Sequence, residues 1–595
     1  MADKKKFPNP EFFRAKTEMD WKAQAANLKE FGSIALDLIK ETDWKAFGRK
    51  QKEHFLDNMN RVAREAKTVA AMTCAERKDL LLNGEKHLGA LYRKGDMATV
   101  RREWRGVEST LVDFSGWLKV WGMLLATFSK DLIPALNTTF WYRWMISYMC
   151  CVSFMDKNTM GQRGNALKMS HLMTYDIFRY VAENLVFLAK CDKKNGNSSE
   201  LNKKVVLFDE MTMGQIMAGF PDLLGIPYQL MPVFLVSEID QLTCVPYIDA
   251  VESFGLPADC CPVPSSECGA LVIDALPHMG KCFISSSMPC DGSTMASSYM
   301  SRRFPDLPVF HLCFPVRYED EETVQMGAED IRACIKFIEE QTGAKWSWDA
   351  YFSAMKRFNE ETRYELEKWE VNKTAYPQII GPSYELFRKW NYEMDGGIDP
   401  RVMKTCRKVN DLLMQSYQRR DEAWVGKMRY RGIVWSCPAH YYANFSNWLA
   451  NCWGVNVLVE MESLNFTKQL ETEDKEEALR DLGRLYERMV MRRHTNGGYQ
   501  HVVDELWKQC EIWNVDLIIM YQNVACKNMA TVQGILDDQA REQNRKMIWI
   551  EHDLMDPRTV SRRQMRDKVS EYMRTVMHAE PLDPTLVDFE DEICL

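Results

Sequence analysis

Three stretches of this chain place cysteine where a fold could use it. In Asp516–Asn528, DLIIMYQNVACKN, the run Asp516–Tyr521 reads as a short buried strand. Cys526 follows in the loop, and a helix pattern runs from Met529 to about Asn544. Lys281–Ser287, KCFISSS, has the same layout: a strand, then the loop MPCDGST with Cys290, then a helix pattern. The third stretch, Pro257–Gly269, PADCCPVPSSECG, holds Cys260, Cys261 and Cys268, and its prolines and serines predict an irregular loop. A cysteine at the carboxyl end of an α/β strand stands where such folds place their chemistry. Thiolate sulfur is a soft ligand suited to iron–sulfur clusters. Three thiolates on a four-iron cube leave one iron open to water or substrate.

The elements that must position these cysteines follow from length and pattern. A chain of 595 residues predicts two or three domains. Residues 1 to about 190 read as helical, with apolar spacing over Trp44–Ala70 and Asp79–Tyr92 and tryptophans at 104, 117, 121, 141 and 144 that predict a well-buried helical layer. A polar stretch at Asp192–Asn202 marks a boundary. Strand and helix then alternate. Strands are expected at Val205–Asp209, Lys281–Ser287 and Pro308–Phe314, and helices at Ala328–Gln341 and Trp348–Trp369. Glycine and proline between 377 and 400 mark a second crossing, with a short helix at Tyr384–Tyr392. A second alternation follows: strands at Arg431–Trp435, Val455–Glu460, Asp516–Tyr521 and Lys546–Glu551, and helices at Arg401–Trp424, Phe445–Trp453, Lys475–Arg493, His501–Trp513 and Val560–Met577. The expected organisation is a helical region over 1–195, an α/β lobe over 203–395, a second over 396–580, and an acidic tail over 581–595.

Composition excludes several functions. Net charge is -8 with no long basic run, which argues against nucleic acid as a partner. The apolar run Trp144–Met155 is far shorter than the roughly 20 residues of a membrane span. The start, MADKKKFPNPEFF, has no apolar segment of a secretory signal, so a cytoplasmic protein with reduced cysteines is expected. There are 18 cysteines but no CxxC, which argues against a zinc ribbon or a thioredoxin-type site. Isolated cysteines in apolar segments, such as Cys334 and Cys452, read as core. GxxxxGK[ST], GxGxxG after a strand, HExxH and GxSxG are all missing, so ATP is not expected to bind through a P-loop here.

From about Lys203 to Met577 the order of motifs resembles the D-component family of 2-hydroxyacyl-CoA dehydratases and ATP-dependent benzoyl-CoA reductases. The motifs are a strand and then a helix ending in Gly-Ile-Pro, over Val205–Pro227; a cysteine with a glycine eight residues later, Cys261 and Gly269; and a strand leading to Cys290–Asp291. They continue with a strand ending in proline, Pro308–Pro315; a helix running into Thr342–Gly343 and a second helix carrying Asn359; the strand and loop Asp516–Cys526; and Ile550, Glu551 and Asp553 before an arginine-rich helix.

The resemblance implies two flavodoxin-like or Rossmann-like parallel-sheet lobes with a [4Fe–4S] cluster between them, held by Cys261, Cys290 and Cys526. Cys260 and Cys268 are rivals for the first position, and the distance to Gly269 favours Cys261. It also implies an acyl-CoA substrate, a related second iron–sulfur subunit in a heterodimer, and a separate ATP-hydrolysing iron–sulfur activator, which fits the missing P-loop. In the dehydratase reaction, one electron on the thioester carbonyl gives a ketyl radical anion that expels the α-hydroxyl and acidifies the β-proton. In the benzoyl-CoA reductase version the electrons stay in the product. A third role is a cluster-bearing, non-catalytic partner subunit. Many relatives carry a glutamate early in the first helix, where this chain has Gln215.

Overall fold

The computed structural model describes residues 9–15, 20–83, 106–148, 154–155, 158–159, 161–195, 200–209, 214–287, 290–314, 320–378, 381–421, 428–496 and 498–587. The amino-terminal part is helical: α1 Trp21–Glu41, α2 Trp44–Ala71, α3 Val107–Phe128, α4 Leu132–Trp141 and α5 Gly164–Cys191. Asp20 and Asp43 cap α1 and α2 by accepting from the second and third backbone N–H groups of each helix. The long α5 is buried along most of its length, packed between α3 and α4 on one side and the helix Pro400–Gln418 on the other. No helix among the described residues is long and apolar enough to cross a membrane.

Short apolar runs then build two four-stranded parallel sheets. The first contains β1 Val205–Phe208, β2 Leu224–Pro227, β3 Cys282–Ser286 and β4 Val309–Leu312, in the order β2-β1-β3-β4. Around it lie α6 Val245–Ser253, α7 Pro262–Val272, α8 Asp291–Arg303 and α9 Glu321–Thr342. The second contains β5 Tyr430–Trp435, β6 Val455–Glu460, β7 Leu517–Asn523 and β8 Met547–His552, in the order β6-β5-β7-β8. Its helices include α10 Lys475–Glu487 and α11 Lys527–Thr531. β1 and β3 are buried at every position, as strands covered on both faces require. Both sheets have the flavodoxin-like order, in which the strand order reverses between the first and third strands and opens a crevice at their carboxyl ends. The chain is thus an α/β protein of two parallel-sheet lobes with a helical amino-terminal region, as the sequence predicts.

The lobes meet through α9 and α10, where two glycines let the backbones approach. A Cβ on Gly327 would stand 3.5 Å from the Gly483 Cα. Arg492, from the second lobe, donates to the Phe314 carbonyl beyond β4 at 2.6 Å.

The structure corrects several sequence expectations. Pro257–Gly269 is not an irregular loop, because α7 begins at Pro262. Pro262 and Pro264 occupy the first turn, where backbone N–H groups have no helical acceptor, so proline costs nothing there. Gly-Ile-Pro lies in β2, not at a helix end. Gly225 and Pro227 hide the strand in the sequence, and proline is tolerated there because β2 is an edge strand. The expected helix Lys475–Arg493 breaks after Glu487 and resumes at Val490. The tryptophan layer is less buried than expected: Trp144 is buried, but Trp117 is 37% exposed. Tyr92, Trp104, Met149–Ser153, Pro315, Glu422–Trp424 and residues 588–595 lie outside the described residues.

Candidate functional site

Each of the three cysteines is the residue immediately before a helix: Cys261 before α7, Cys290 before α8 and Cys526 before α11. Cys290 and Cys526 occupy equivalent places, each following the third strand of its sheet at the point where strand order reverses. None of the three sulfurs takes a full capping hydrogen bond. Nearby backbone N–H groups still favour the thiolate: Val263 for Cys261, Ser293 and Gly292 for Cys290, and Met529 and Asn528 for Cys526.

Two glycines fix how these helix ends meet. Gly269 lies against α6, where a Cβ would stand 1.8 Å from the Tyr247 carbonyl oxygen. Gly292, in the first turn of α8, faces Pro264 in the first turn of α7, and a Cβ there would stand 3.0 Å from the proline ring. The Cys261 and Cys290 helices therefore start side by side. Cys526 approaches from the other lobe. Asn523 Nδ2 donates to Cys261 Sγ at 3.6 Å, and Lys527 Nζ pairs with Asp259 Oδ2 at 2.8 Å.

Burial raises the Cys261 thiol most, and the Cys290 and Cys526 sulfurs raise it further. Burial also raises Cys290, which feels Asp291 and Cys526 as well. All three cysteines are partly accessible and free of disulfides. Cys268 differs: it is buried between Val251 and Ala296, where burial pushes its thiol up to about 12. Its charged neighbours are Glu267 and Cys260, not the other two cysteines. Among the described residues, no group of three or more His, Cys, Asp or Glu can hold a single metal ion. A four-iron cube asks for something else, one sulfur on each of three irons, and three thiols from two lobes, with Cys261 feeling the other two and Cys290 feeling Cys526, fit that demand in donor type and number.

Other residues around this point were not singled out from the sequence. Cys437 follows β5 as Cys290 and Cys526 follow their strands, and that repeat of strand then cysteine was the signal available. Its Sγ donates to Glu462 Oε1 at 3.2 Å; burial and then Glu462 hold the thiol well above its usual value, with Cys526 adding to the effect. Burial keeps His552 neutral, pushing its imidazole down to about 4, and pushes the Asp553 carboxyl up to about 6. Across the lobes, His440 Nδ1 stands 3.5 Å from Glu238 Oε1.

A cavity of about 290 Å³ opens between the lobes, lined by Gln215, Asn465, Lys468, Tyr486, Arg488 and Arg493 among others. Gln215 is buried with both ends of its amide engaged. Nε2 donates to the Tyr392 carbonyl at 2.6 Å, and Oε1 accepts from the Tyr486 hydroxyl at 3.1 Å. Arg493 belongs to the helix Val490–Asn496, which packs on α11. One helix thus contributes to the cavity and also contacts α11, the helix that Cys526 precedes.

Residues 242–575, more than half of the chain, match the family model of the 2-hydroxyglutaryl-CoA dehydratase D-component. No curated protein matches the chain.

Proposed function

Because the chain belongs to the 2-hydroxyglutaryl-CoA dehydratase D-component family, we propose that it is the [4Fe–4S] subunit of a radical 2-hydroxyacyl-CoA dehydratase of the cytoplasm. It works on an acyl-CoA with a related second iron–sulfur subunit and a separate ATP-hydrolysing activator. The observation that carries this reading is the meeting of Cys261, Cys290 and Cys526, each at a helix start, with Cys261 sensing both others. When bound, a cluster with one open iron supplies single electrons at low potential and a Lewis-acid seat for a substrate oxygen.

The chain's own residues do the rest. Burial raises all three thiols, and the backbone N–H groups at the three helix starts offset part of that cost for the thiolate. Asn523 adds an N–H to the Cys261 sulfur. Asp553 Oδ1 accepts from the Met555 and Asp556 backbone N–H groups, which sets the orientation of its carboxyl. With its carboxyl pushed up to about 6, Asp553 can hold a proton close to neutral pH beside Cys261. The cavity containing Gln215 is the space for the acyl group.

The test is anaerobic turnover of 2-hydroxyacyl-CoA esters with a reductant, with and without the activator and ATP. Dehydration should require both additions. Sustained turnover by this chain alone with a mild reductant and no nucleotide contradicts the reading, as does ATP hydrolysis by this chain alone. Reduction of an aromatic acyl-CoA, with ATP consumed at every turnover, would assign the benzoyl-CoA reductase reaction instead.

One observation favours a second reading, the cluster-bearing partner subunit without its own active site. Gln215 stands where many relatives carry glutamate, and with both ends of its amide engaged it offers no base. Turnover that persists when this chain's cavity is blocked, while the related subunit is intact, would favour that role.

A further inference from the structure

The amino-terminal helical layer is inside out. Most of the large hydrophobic side chains exposed in this protein lie between Trp21 and Ile146, not on the lobes. The clearest case is α3. Its inner face, with Gly116 and Val120 buried, lies on α5, and a Cβ on Gly116 would collide with the His171 ring. Its outer face carries Val107, Leu111, Phe114, Leu118, Trp121 and Leu125. Those positions alternate by four and three residues, the a/d spacing of a coiled-coil seam. Leu111, Phe114 and Leu125 are 63%, 57% and 70% exposed. A helix that is apolar on both faces is built to be covered on both.

The same chain carries a helix with the matching need. α2 has 28 residues, about 42 Å at 1.5 Å each, and no described side chain on it is buried. Among the described residues no element packs extensively along it. Its apolar positions Trp44, Phe47, Phe55 and Met59 form one stripe at helical spacing, and all four are at least half exposed. Its seven Lys and Arg and three Asp and Glu leave that stripe apolar, and the two acids of α3, Glu108 and Asp113, pair inward with Lys168 and His171 of α5, so the outer seam of α3 is apolar too.

We propose that this layer is a self-association surface: α2 of one copy lies in the outer seam of α3 of a second copy, and the exchange is reciprocal about a two-fold axis. The occupant is a second copy because both exposed apolar faces belong to this one chain, and the two together expose the area that a stable dimer covers. A two-fold exchange covers both at once and closes the assembly. Doubled by symmetry, the covered apolar surface is on the order of 2,000 Å², the size of an obligate interface. The surface is separate from the crevice between the lobes, so pairing there leaves room for a cluster-bearing partner.

The experiment uses the full chain in size-exclusion chromatography with light scattering. The unmodified protein should be a dimer at micromolar concentration. Phe114→Asp with Leu118→Asp should weaken self-association at least a hundredfold, and so should Phe55→Asp with Met59→Asp. Mixing the two variants should restore dimers, because a mixed pair keeps one intact α2–α3 contact. The unfolding midpoint of each variant, followed by circular dichroism, reports whether the lobes remain folded. A monomeric unmodified protein at 50 µM overturns the proposal, whether the seam is then covered by residues 84–105 of the same chain or binds anionic vesicles. Failure of mixing to restore dimers between folded variants overturns it equally.

Discussion

Asn523 Nδ2 stands 3.6 Å from Cys261 Sγ, and the two residues are 262 positions apart in the chain. Asn523 ends β7 in the second lobe, and Cys261 starts α7 in the first. Their contact is the closest view of how the lobes share one site.

Replacing Cys261, Cys290 or Cys526 by serine, one at a time, should lower bound iron and sulfide by at least about tenfold and remove the brown colour, because losing a ligand costs no less than losing a group that hydrogen-bonds to one. Cys334→Ser and Cys452→Ser should keep both, since those side chains are fully buried in the core. Iron analysis and electron paramagnetic resonance of anaerobically prepared protein read the outcome. Full iron in a folded Cys261→Ser protein, with loss in Cys260→Ser, would move the first ligand by one residue.

Asn523→Leu should leave a cluster in place but shift its reduction potential to a more negative value. An N–H donated to a ligand sulfur favours the reduced state, which carries more negative charge, and removing it takes that preference away. A redox titration followed by electron paramagnetic resonance measures the shift. An unchanged potential would mean that Asn523 only packs.

Gly269→Ala should destabilise the protein by about 3 kcal/mol, the upper range for overpacking. The added Cβ would meet the Tyr247 carbonyl oxygen at 1.8 Å, and backbone cannot rotate away as a side chain can. Because α7 must shift, Cys261 shifts with it, and iron retention should fall together with the thermal midpoint. Gly343→Ala, where a Cβ meets nothing within 4 Å but the backbone is left-handed at φ 74°, should cost only about 1 kcal/mol and leave iron untouched.

Asp192 gives a pH dependence of known sign. Its carboxyl is fully buried and pushed up to about 6, with Oδ1 accepting from the Tyr142 hydroxyl and the backbone N–H groups of Lys194 and His278. The folded value lies above the unfolded value of about 3.9, so the group's contribution is fully present below about pH 4 and is lost as pH rises through about 6. Asp192→Asn keeps the accepting oxygen and removes the charge. It should therefore stabilise the protein at pH 8 by on the order of 3 kcal/mol and leave it unchanged near pH 4, as read from urea unfolding at the two pH values. Equal effects at both values would show that the charge does not matter.

The sequence by itself determined the architecture. The apolar runs at Val205–Asp209, Lys281–Ser287, Arg431–Trp435, Val455–Glu460, Asp516–Tyr521 and Lys546–Glu551 all appear as strands, because a strand covered on both faces needs continuous apolar residues over a short span. The same pattern marked Cys290 and Cys526, since both directly follow such runs. It could not find β2, whose Gly225 and Pro227 read as turn residues, or read α7, whose prolines look like breakers until the helix start is known. Tertiary structure alone decided what surrounds the cysteines. Asn523, Asp553 and Cys437 reach the site from three strand ends that are adjacent only because β5, β7 and β8 are neighbours in the sheet. It also decided that Gln215 is locked between Tyr392 and Tyr486 and that the aromatic amino-terminal layer faces outward. Helical periodicity tells which residues share a face, but it carries no information on whether that face meets the core, solvent or another chain.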